Sequence, residues 1–219
     1  MASYRADVLS PELSAYIAAH TAPPDDVLTA LADRTAALGR VAGMQIGADQ
    51  GALLTLFTRL VGARHAVEVG TFTGFSSICI ARGLQPGGHL LCCDVSEEYT
   101  AIAKEAWADA GLTDVIELRL APALDTLRTL PDEATIDLAF IDADKRGYAA
   151  YYGELLPRIR PGGIILVDNT LWSGRVIDDS ADDDDTVAIR AFNDLVAADD
   201  RVDSYILPVG DGVTLIRKR

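Results

Sequence analysis

The stretch His65-Ala-Val-Glu-Val-Gly-Thr-Phe-Thr-Gly-Phe-Ser76 decides the fold, because it changes from a strand pattern to a helix pattern within a few residues. Its apolar first half is typical of a short buried strand. Gly70 and Gly74 then break the strand, and a helical pattern begins at Ser77. This order is typical of the cofactor crossover in an open α/β sheet, where glycine lets the backbone approach a ligand and the first N–H groups of the helix are free. The alternative is an ordinary glycine turn in a parallel sheet.

The spacing of these glycines does not match the Gly-x-Gly-x-x-Gly fingerprint of NAD-binding turns. Gly70 and Gly74 enclose three other residues, and no third glycine follows. An acid, Glu68, precedes the first glycine inside the strand. A carboxylate at that position does not help to bind a pyrophosphate, whereas it would stabilise a cationic amine or a sulfonium.

Strand and helix patterns alternate after this stretch. Further strands are predicted at 89–94, 115–120, 136–142 and 163–168, and helices at 77–82, 96–110, 123–130, 148–160 and 186–198. Apolar strands that alternate with helices indicate a parallel sheet covered on both faces. Near the carboxyl terminus, segments 202–207 and 213–217 flank Asp211-Gly212, which is a hairpin signal. The last strand is therefore predicted to be antiparallel.

Three helical patterns precede the first strand, at 11–20, at 24–40 and from Ala48 onward. We interpret them as a cap or docking surface added to the sheet. The length is typical of one large domain, and no linker interrupts the chain. We predict a single domain over 1–219, with a helical cap at 1–62 and a sheet core at 63–219.

Composition argues against several classes of partner. The net charge is 19 − 33 = −14, which opposes binding to nucleic acid or to an anionic membrane. The sequence has no apolar run long enough to span a membrane and no secretory pattern at its start. Its three cysteines are better suited to reduced core positions than to a bridge, and its histidines lack zinc spacing. A cytoplasmic protein is expected, with neither membrane nor nucleic acid as partner.

Polar residues stand where the predicted strands end, which is where open α/β sheets bind ligands. Asp94 ends strand two and is placed to accept both ribose hydroxyls of an adenosine, in NAD and in S-adenosylmethionine alike. Asp142 ends strand four, and Asp168 and Asn169 end strand five. Two carboxylates and an amide oxygen suit Mg²⁺, with Mn²⁺ or Ca²⁺ as alternatives. A hydride-transfer enzyme does not need these three oxygen ligands. The alternative is structural: Asp142 caps a helix, and Asp168-Asn169 forms a turn.

Taken together, these residues resemble the cation-dependent S-adenosylmethionine O-methyltransferases, which include catechol and caffeoyl-coenzyme A O-methyltransferases. The resemblance runs from about Met44 to the carboxyl terminus. It rests on Ala48-Asp49-x-Gly51, Glu68-Val-Gly70-x-x-x-Gly74-x-Ser76, Asp94, Pro122-Ala123-Leu124, Asp142-Ala-Asp-Lys145, Asp168-Asn-Thr-Leu-Trp172 and Pro208-Val-Gly-Asp-Gly212. It implies an α/β, Rossmann-like class I methyltransferase fold: a mostly parallel seven-stranded sheet with a terminal antiparallel hairpin and helices on both faces.

The resemblance also implies a role for each matching residue. The positions at which the family contacts the methyl donor are Met44, Glu68, Gly70, Thr71, Ser76, Asp94, Ala123 and Asp142. Asp142, Asp168 and Asn169 match the metal ligands of the family, and Lys145 matches its general base. Tyr151 and Trp172 match positions that line the acceptor pocket in relatives.

Some positions depart from the family pattern. Gln50 and Ile46 stand where plant relatives have glutamate and threonine, and Ser173 replaces an asparagine. Segment 175–185 aligns with no relative, and its acids would repel the phosphates of coenzyme A.

The sequence therefore predicts a Mg²⁺-dependent enzyme that moves a methyl group from S-adenosylmethionine to one hydroxyl of a small aromatic diol. A homodimer is expected because the family usually forms one. The alternatives are an NAD-type oxidoreductase on a similar sheet and a non-catalytic binding protein that keeps the fold.

Overall fold

The computed structural model describes residues 10–219, in which strands and helices alternate as predicted. The strands are β1 (His65–Val69), β2 (His89–Asp94), β3 (Ile116–Leu120), β4 (Ile136–Ile141), β5 (Ile159–Val167), β6 (Val202–Leu207) and β7 (Val213–Lys218). The helices are α1 (Pro11–Ala19), α2 (Asp26–Ala36), α3 (Ala48–Leu60), α4 (Phe75–Gly83), α5 (Glu97–Asp109), α6 (Ala123–Arg128), α7 (Tyr148–Arg158) and α8 (Asp184–Ala197).

The seven strands form one sheet in the order β3-β2-β1-β4-β5-β7-β6. Neighbouring strands from β3 to β5 run parallel, whereas β7 lies antiparallel to both β5 and β6. This arrangement confirms the predicted fold class, including the terminal antiparallel hairpin.

Two apolar cores cover the two faces of the sheet. Helices α2 to α5 bury residues such as Leu54 and Ile78 against one face. Helices α6 to α8 bury Leu127, Leu155 and Phe192 against the other. Strand β4 is buried along its whole length, because helices cover it on both sides. Burial on both faces is the physical reason for the continuous apolar runs of the central strands.

The amino-terminal helices contribute to one of these cores. Leu28 and Leu31 of α2 and Leu54 of α3 belong to the same buried cluster as the sheet residues. Helices α2 and α3 are thus part of the layer that covers the sheet. Residues 1–9 of the predicted cap lie outside the described residues, and its boundary at residue 62 stays a prediction. None of the described helices has the length or the apolar character needed to cross a membrane.

Several predicted helices end earlier than expected, and two of them show why. The helix predicted through Arg160 ends at Arg158, because Pro161 disfavours the helical conformation in the residue before it. Ile159 instead begins β5 and pairs with Ile136. The helix predicted over 24–40 ends at Ala36 and is followed by a 3-10 turn over Gly39–Met44.

Candidate active site

The strand order places the predicted site residues at one edge of the sheet. β1 is flanked by β2 on one side and by β4 on the other, so the chain reverses its direction of winding between β1 and β4. Ligands of open α/β sheets bind in the crevice beyond the carboxyl ends of the strands at such a point. The polar residues that follow β1, β2, β4 and β5 all lie at this edge.

The two glycines of the turn after β1 are required by the packing of the chain. Gly70 has φ +91°, and a Cβ at this position would overlap the backbone carbonyl oxygen of Asp142. Gly74 also has φ +91°, and its Cβ would lie 2.8 Å from Ala103 and from the Trp107 ring. Gly70 is therefore required for the close approach of the turn to the end of β4, while its predicted approach to a ligand stays a prediction.

Asp94 shapes the turn that would receive a cofactor. Its Oδ2 accepts hydrogen bonds of 2.9 Å from the backbone N–H groups of Thr71 and Phe72. Its Oδ1 accepts one of 2.8 Å from Ser96 N–H. A carboxylate has about four acceptor sites, so Asp94 retains capacity for a ribose hydroxyl.

Beneath the turn lies Glu68, which is fully buried. Burial raises the pKa of its carboxyl to about 8. Its Oε2 accepts a bond of 3.3 Å from the Cys92 thiol. Within residues 10–219, neither Glu68 Oε1 nor the Thr71 hydroxyl has a hydrogen-bond partner. Buried polar atoms are normally satisfied, so these two fit a cofactor that brings its own hydrogen-bonding groups.

The remaining residues predicted for the methyl donor surround this turn. Ser76 lies in the first turn of α4, whose amino terminus is capped by no side chain of the described chain. Ala123 begins α6, directly after β3. Met44 ends the 3-10 turn before α3 and is half-exposed.

The predicted metal ligands and Lys145 are brought together at the ends of β4 and β5. Lys145 Nζ donates hydrogen bonds to Asp142 Oδ1 at 3.2 Å and to Asn169 Oδ1 at 2.6 Å. Asp168 is buried and lies next to Asn169, which has a left-handed φ of 58°. Asp142 and Asn169 thus share one cationic neighbour, as ligands of a single ion would.

Electrostatics at this edge favour an additional cation. Burial, followed by the charge of Asp142, raises the pKa of Asp168 to about 7. Burial also raises the pKa of Asp142. Residues 10–219 contain no group of three His, Cys, Asp or Glu side chains placed to hold a metal, but the predicted set has two carboxylates and an amide. One buried and one partly buried carboxylate, together with an amide oxygen, fit a divalent ion such as Mg²⁺.

Sequence reasoning missed Tyr148. This fully buried residue accepts a 2.6 Å hydrogen bond from Lys145 Nζ and donates one of 3.0 Å to the Asp168 carbonyl oxygen. It therefore connects the lysine to the chain that carries Asp168. The spacing could have found it, because residues three apart at the start of a helix share a face.

A role for Gln50 was missed as well. It lies in the first turn of α3 and is only 3% exposed. Its amide approaches Asp168 and opposes the rise of that pKa, yet Gln50 Nε2 has no well-formed hydrogen bond to another described residue. Its side chain thus connects α3 to the predicted metal site.

Trp172 and Tyr151, both predicted to line the acceptor pocket, differ in their surroundings. The Trp172 ring is partly exposed, and its centroid lies 5.7 Å from Lys145 Nζ. Tyr151 is only 7% exposed within the core beneath α6 to α8, and its hydroxyl donates to Asp144. Trp172 is therefore partly exposed beside Lys145, whereas Tyr151 belongs to the core, and their predicted place in the acceptor pocket stays a prediction.

Several acids of the predicted acidic run have basic or backbone partners. Asp183 caps α8 by accepting a 3.1 Å bond from Thr186 N–H, and it also pairs with Arg175. Asp184 pairs with Arg146 at 2.8 Å. Nearby arginines thus neutralise part of the charge of this run, while the predicted repulsion of coenzyme A phosphates stays a prediction.

This fold and this site define a class, the S-adenosylmethionine-dependent methyltransferases. Residues 18–219 match the family model described as O-methyltransferase, and the chain belongs to that family. It is 45% identical over 175 residues to the "Probable caffeoyl-CoA O-methyltransferase 2" of Dictyostelium discoideum, covering 78% of this chain and 76% of that protein.

Solved structures agree with this assignment. An O-methyltransferase from Bacillus cereus in complex with SAH is 33% identical, with a TM-score of 0.86 over 95% of this chain and 97% of the other. The O-methyltransferase TomG from Streptomyces achromogenes in complex with SAM is 30% identical, with a TM-score of 0.86 over 94% and 96%. The protein is an S-adenosylmethionine-dependent O-methyltransferase of the caffeoyl-coenzyme A and catechol type, and the oxidoreductase alternative is not favoured.

Proposed function

We propose that this enzyme is metal-dependent and methylates one hydroxyl of a small vicinal aromatic diol. The observation that carries the proposal is the convergence of Asp142 and Asn169 on Lys145 Nζ, beside the buried Asp168. One edge of the sheet thus combines candidate metal ligands with a candidate base. Directly beside it lies the turn that follows β1, where the methyl donor is proposed to bind.

Asp142, Asp168 and Asn169 would hold the metal, with Mg²⁺ preferred and Mn²⁺ or Ca²⁺ as alternatives. When bound, a divalent ion makes chelated hydroxyls more acidic and orients them. The protein itself keeps Asp168 at the site by burying it, and the Asn169 backbone N–H donates to Asp168 Oδ1 at 2.8 Å.

Lys145 is proposed to remove the proton from the reacting hydroxyl. Tyr148 and Asn169 each bind its Nζ at 2.6 Å, so the nitrogen has a defined position next to the metal ligands. A base held at one position contributes both proton transfer and orientation. The deprotonated oxygen then attacks the methyl group of the sulfonium, and the thioether leaves.

The methyl donor is proposed to bind at the turn after β1. Asp94 would accept from the ribose, while Glu68 and Thr71 would satisfy their free polar atoms on the donor. The uncapped amino terminus of α4, next to Ser76, suits the carboxylate of the donor. Gly70, Ala123, Met44 and Asp142 complete the proposed set.

The acceptor is proposed to be a diol because the protein supplies only three metal ligands. An octahedral ion then has about three positions left for substrate oxygens and water. Two adjacent hydroxyls fill two of these positions, whereas a monophenol fills one and would be held loosely. The Trp172 ring beside Lys145 offers an apolar surface for the aromatic ring, and Tyr151 is the second residue proposed for this pocket.

The experiment compares transfer to a neutral catechol, to its monophenol analogue and to caffeoyl-coenzyme A at one Mg²⁺ concentration. The catechol is expected to be the best acceptor, and EDTA is expected to abolish its methylation. If the monophenol or the coenzyme-A ester is the best of the three, the diol proposal is wrong. Full activity after chelation would refute metal dependence.

We further propose a single-domain, cytoplasmic homodimer. All three cysteines are free and buried, as suits a reducing compartment. Leu60 of α3 is 72% exposed and Tyr205 of β6 is 65% exposed, so the amino-terminal helices and the hairpin are candidate contact surfaces. Light scattering that gives a monomer mass at micromolar concentration would overturn the dimer.

A further inference from the structure

Arg190, on α8, binds the main chain of a neighbouring segment through its whole guanidinium group. Its Nε donates to the Val176 carbonyl oxygen at 3.0 Å, and Nη1 donates to that of Ala181 at 2.9 Å. Its Nη2 donates to the Arg175 carbonyl oxygen at 2.8 Å and to that of Asp178. One side chain therefore connects four carbonyl groups that span seven consecutive residues.

The choice of arginine follows from this geometry. A guanidinium carries five N–H donors in a rigid planar fork, whereas an ammonium is a single point with three donors. All four bonds go to main-chain oxygens, although acidic side chains lie in the same part of the sequence. The group thus fixes the path of the backbone in addition to balancing charge.

The segment fixed in this way, residues 173–181, begins directly after Trp172. Trp172 and Ser173 have left-handed φ angles of 48° and 52°. Non-glycine residues adopt this conformation only when the surrounding structure imposes it. Asp211 holds the start of the segment by accepting a 2.6 Å bond from Ser173 N–H, and Arg190 holds the remainder.

We propose that Arg190 is a positioning residue for acceptor binding, which holds segment 173–181 so that the Trp172 ring stays beside Lys145. This inference rests on the proposed function, because that function assigns Trp172 to the acceptor pocket. Arg190 touches neither Lys145 nor a predicted cofactor residue through any bond within residues 10–219. Its loss should therefore weaken acceptor binding and leave the binding of S-adenosylmethionine unchanged.

Tryptophan fluorescence tests the positioning without any need for activity. The chain has two tryptophans, of which Trp107 is buried and donates to the Ser77 hydroxyl at 2.9 Å. Acrylamide quenching of the protein therefore reports mainly on Trp172, and W172F verifies the assignment. We expect R190M and R190K to increase the quenching constant of Trp172 at least about twofold, because neither side chain can bind all four carbonyl groups.

Kinetics and calorimetry complete the test. The acceptor KM of R190M and R190K should rise about tenfold or more, since small displacements of positioning groups have large effects. The Kd for S-adenosylmethionine should stay at its wild-type value. The matched control is R34M, which removes an exposed arginine that pairs with Glu105 on the surface.

The quenching constant, the acceptor KM and the Kd for S-adenosylmethionine together test whether Arg190 positions Trp172. Wild-type quenching together with wild-type acceptor KM in both Arg190 variants would overturn it. A Kd for S-adenosylmethionine that rises in parallel with the acceptor KM would also overturn it, because Arg190 would then support the fold as a whole. If the wild-type enzyme does not methylate diols, the proposed function fails, while quenching still shows whether Arg190 positions Trp172.

Discussion

Replacing Lys145 with methionine tests the proposed base most directly. The substitution keeps an unbranched apolar side chain that is one atom shorter, and it removes the nitrogen that binds Asp142, Asn169 and Tyr148 at 3.2, 2.6 and 2.6 Å. General-base catalysis is worth about 100-fold to 10,000-fold in rate, so kcat should fall by at least about 100-fold. Mn²⁺ should bind no more weakly than to the wild type, because the variant removes a positive charge from between two proposed metal ligands.

The matched variant is K145R. Arginine keeps the positive charge and the hydrogen-bond donors, but it does not deprotonate in proteins. If Lys145 acts as a base, K145R and K145M should both lose turnover. If it acts only as a fixed charge, K145R should remain active.

The assay measures kcat and kcat/KM for a neutral catechol from pH 6 to 10 at saturating S-adenosylmethionine, and calorimetry measures Mn²⁺ binding to each variant. In the wild type, one ionisation should limit kcat on the acidic side, and it should be absent from the residual activity of K145M. A K145R enzyme with wild-type turnover, or a K145M profile of unchanged shape, would refute the role of Lys145 as a base.

Three further predictions concern the buried polar residues of the site. D168A should lose methyl transfer while S-adenosylmethionine still binds in calorimetry, because the donor turn lies at β1 and β2; loss of both would contradict separate subsites. Q50L should weaken Mn²⁺ binding about tenfold by removing the amide beside Asp168, while T55V, on the same helix, should bind as the wild type does. Burial raises the pKa of Glu68 from 4.5 to about 8 in the folded protein. The stabilisation from the protonated carboxyl is therefore complete below about pH 4.5. Between about pH 4.5 and 8 the free energy of unfolding falls by about 1.4 kcal/mol per pH unit. Thermal unfolding of E68Q without cofactor should therefore depend less on pH in that window than unfolding of the wild type, and identical slopes would show that Glu68 is not buried as a neutral acid.

The fold could be predicted because most of its elements have local signals. Ser96 caps α5 by accepting from Tyr99 N–H at 3.2 Å, as its position before an acidic first turn indicates. Asp211-Gly212 predicted the hairpin that places β7 next to β5. The end of α7 was placed two residues too late, because the helical pattern continues to Arg160 while the pairing of Ile159 with Ile136 involves residues far apart in sequence.

Strand patterning alone could bring together only those candidate site residues that follow strands. Asp142, Asp168 and Asn169 met this condition, since the carboxyl ends of parallel strands share one edge. Gln50 reaches that edge from a helix before the first strand, so its partner could be found only once the packing of α3 was known. The partners of Asp183 and Asp184 were missed for a similar reason, because an acidic run in sequence does not show which arginines fold against it.

The contact between Gly70 and the carbonyl oxygen of Asp142 has a consequence for how acceptor range can diversify. Gly70 lies in the turn proposed for the methyl donor, and Asp142 is a proposed metal ligand at the end of β4. The two backbones are so close that no side chain larger than hydrogen fits at Gly70. Under the proposed function, this contact fixes how far the donor turn lies from the end of β4. Segment 173–181 lies outside this contact, and its side chains can change because Arg190 binds its main-chain carbonyl groups. We therefore expect acceptor range to change through side chains of that segment, while the donor turn keeps its distance from the end of β4.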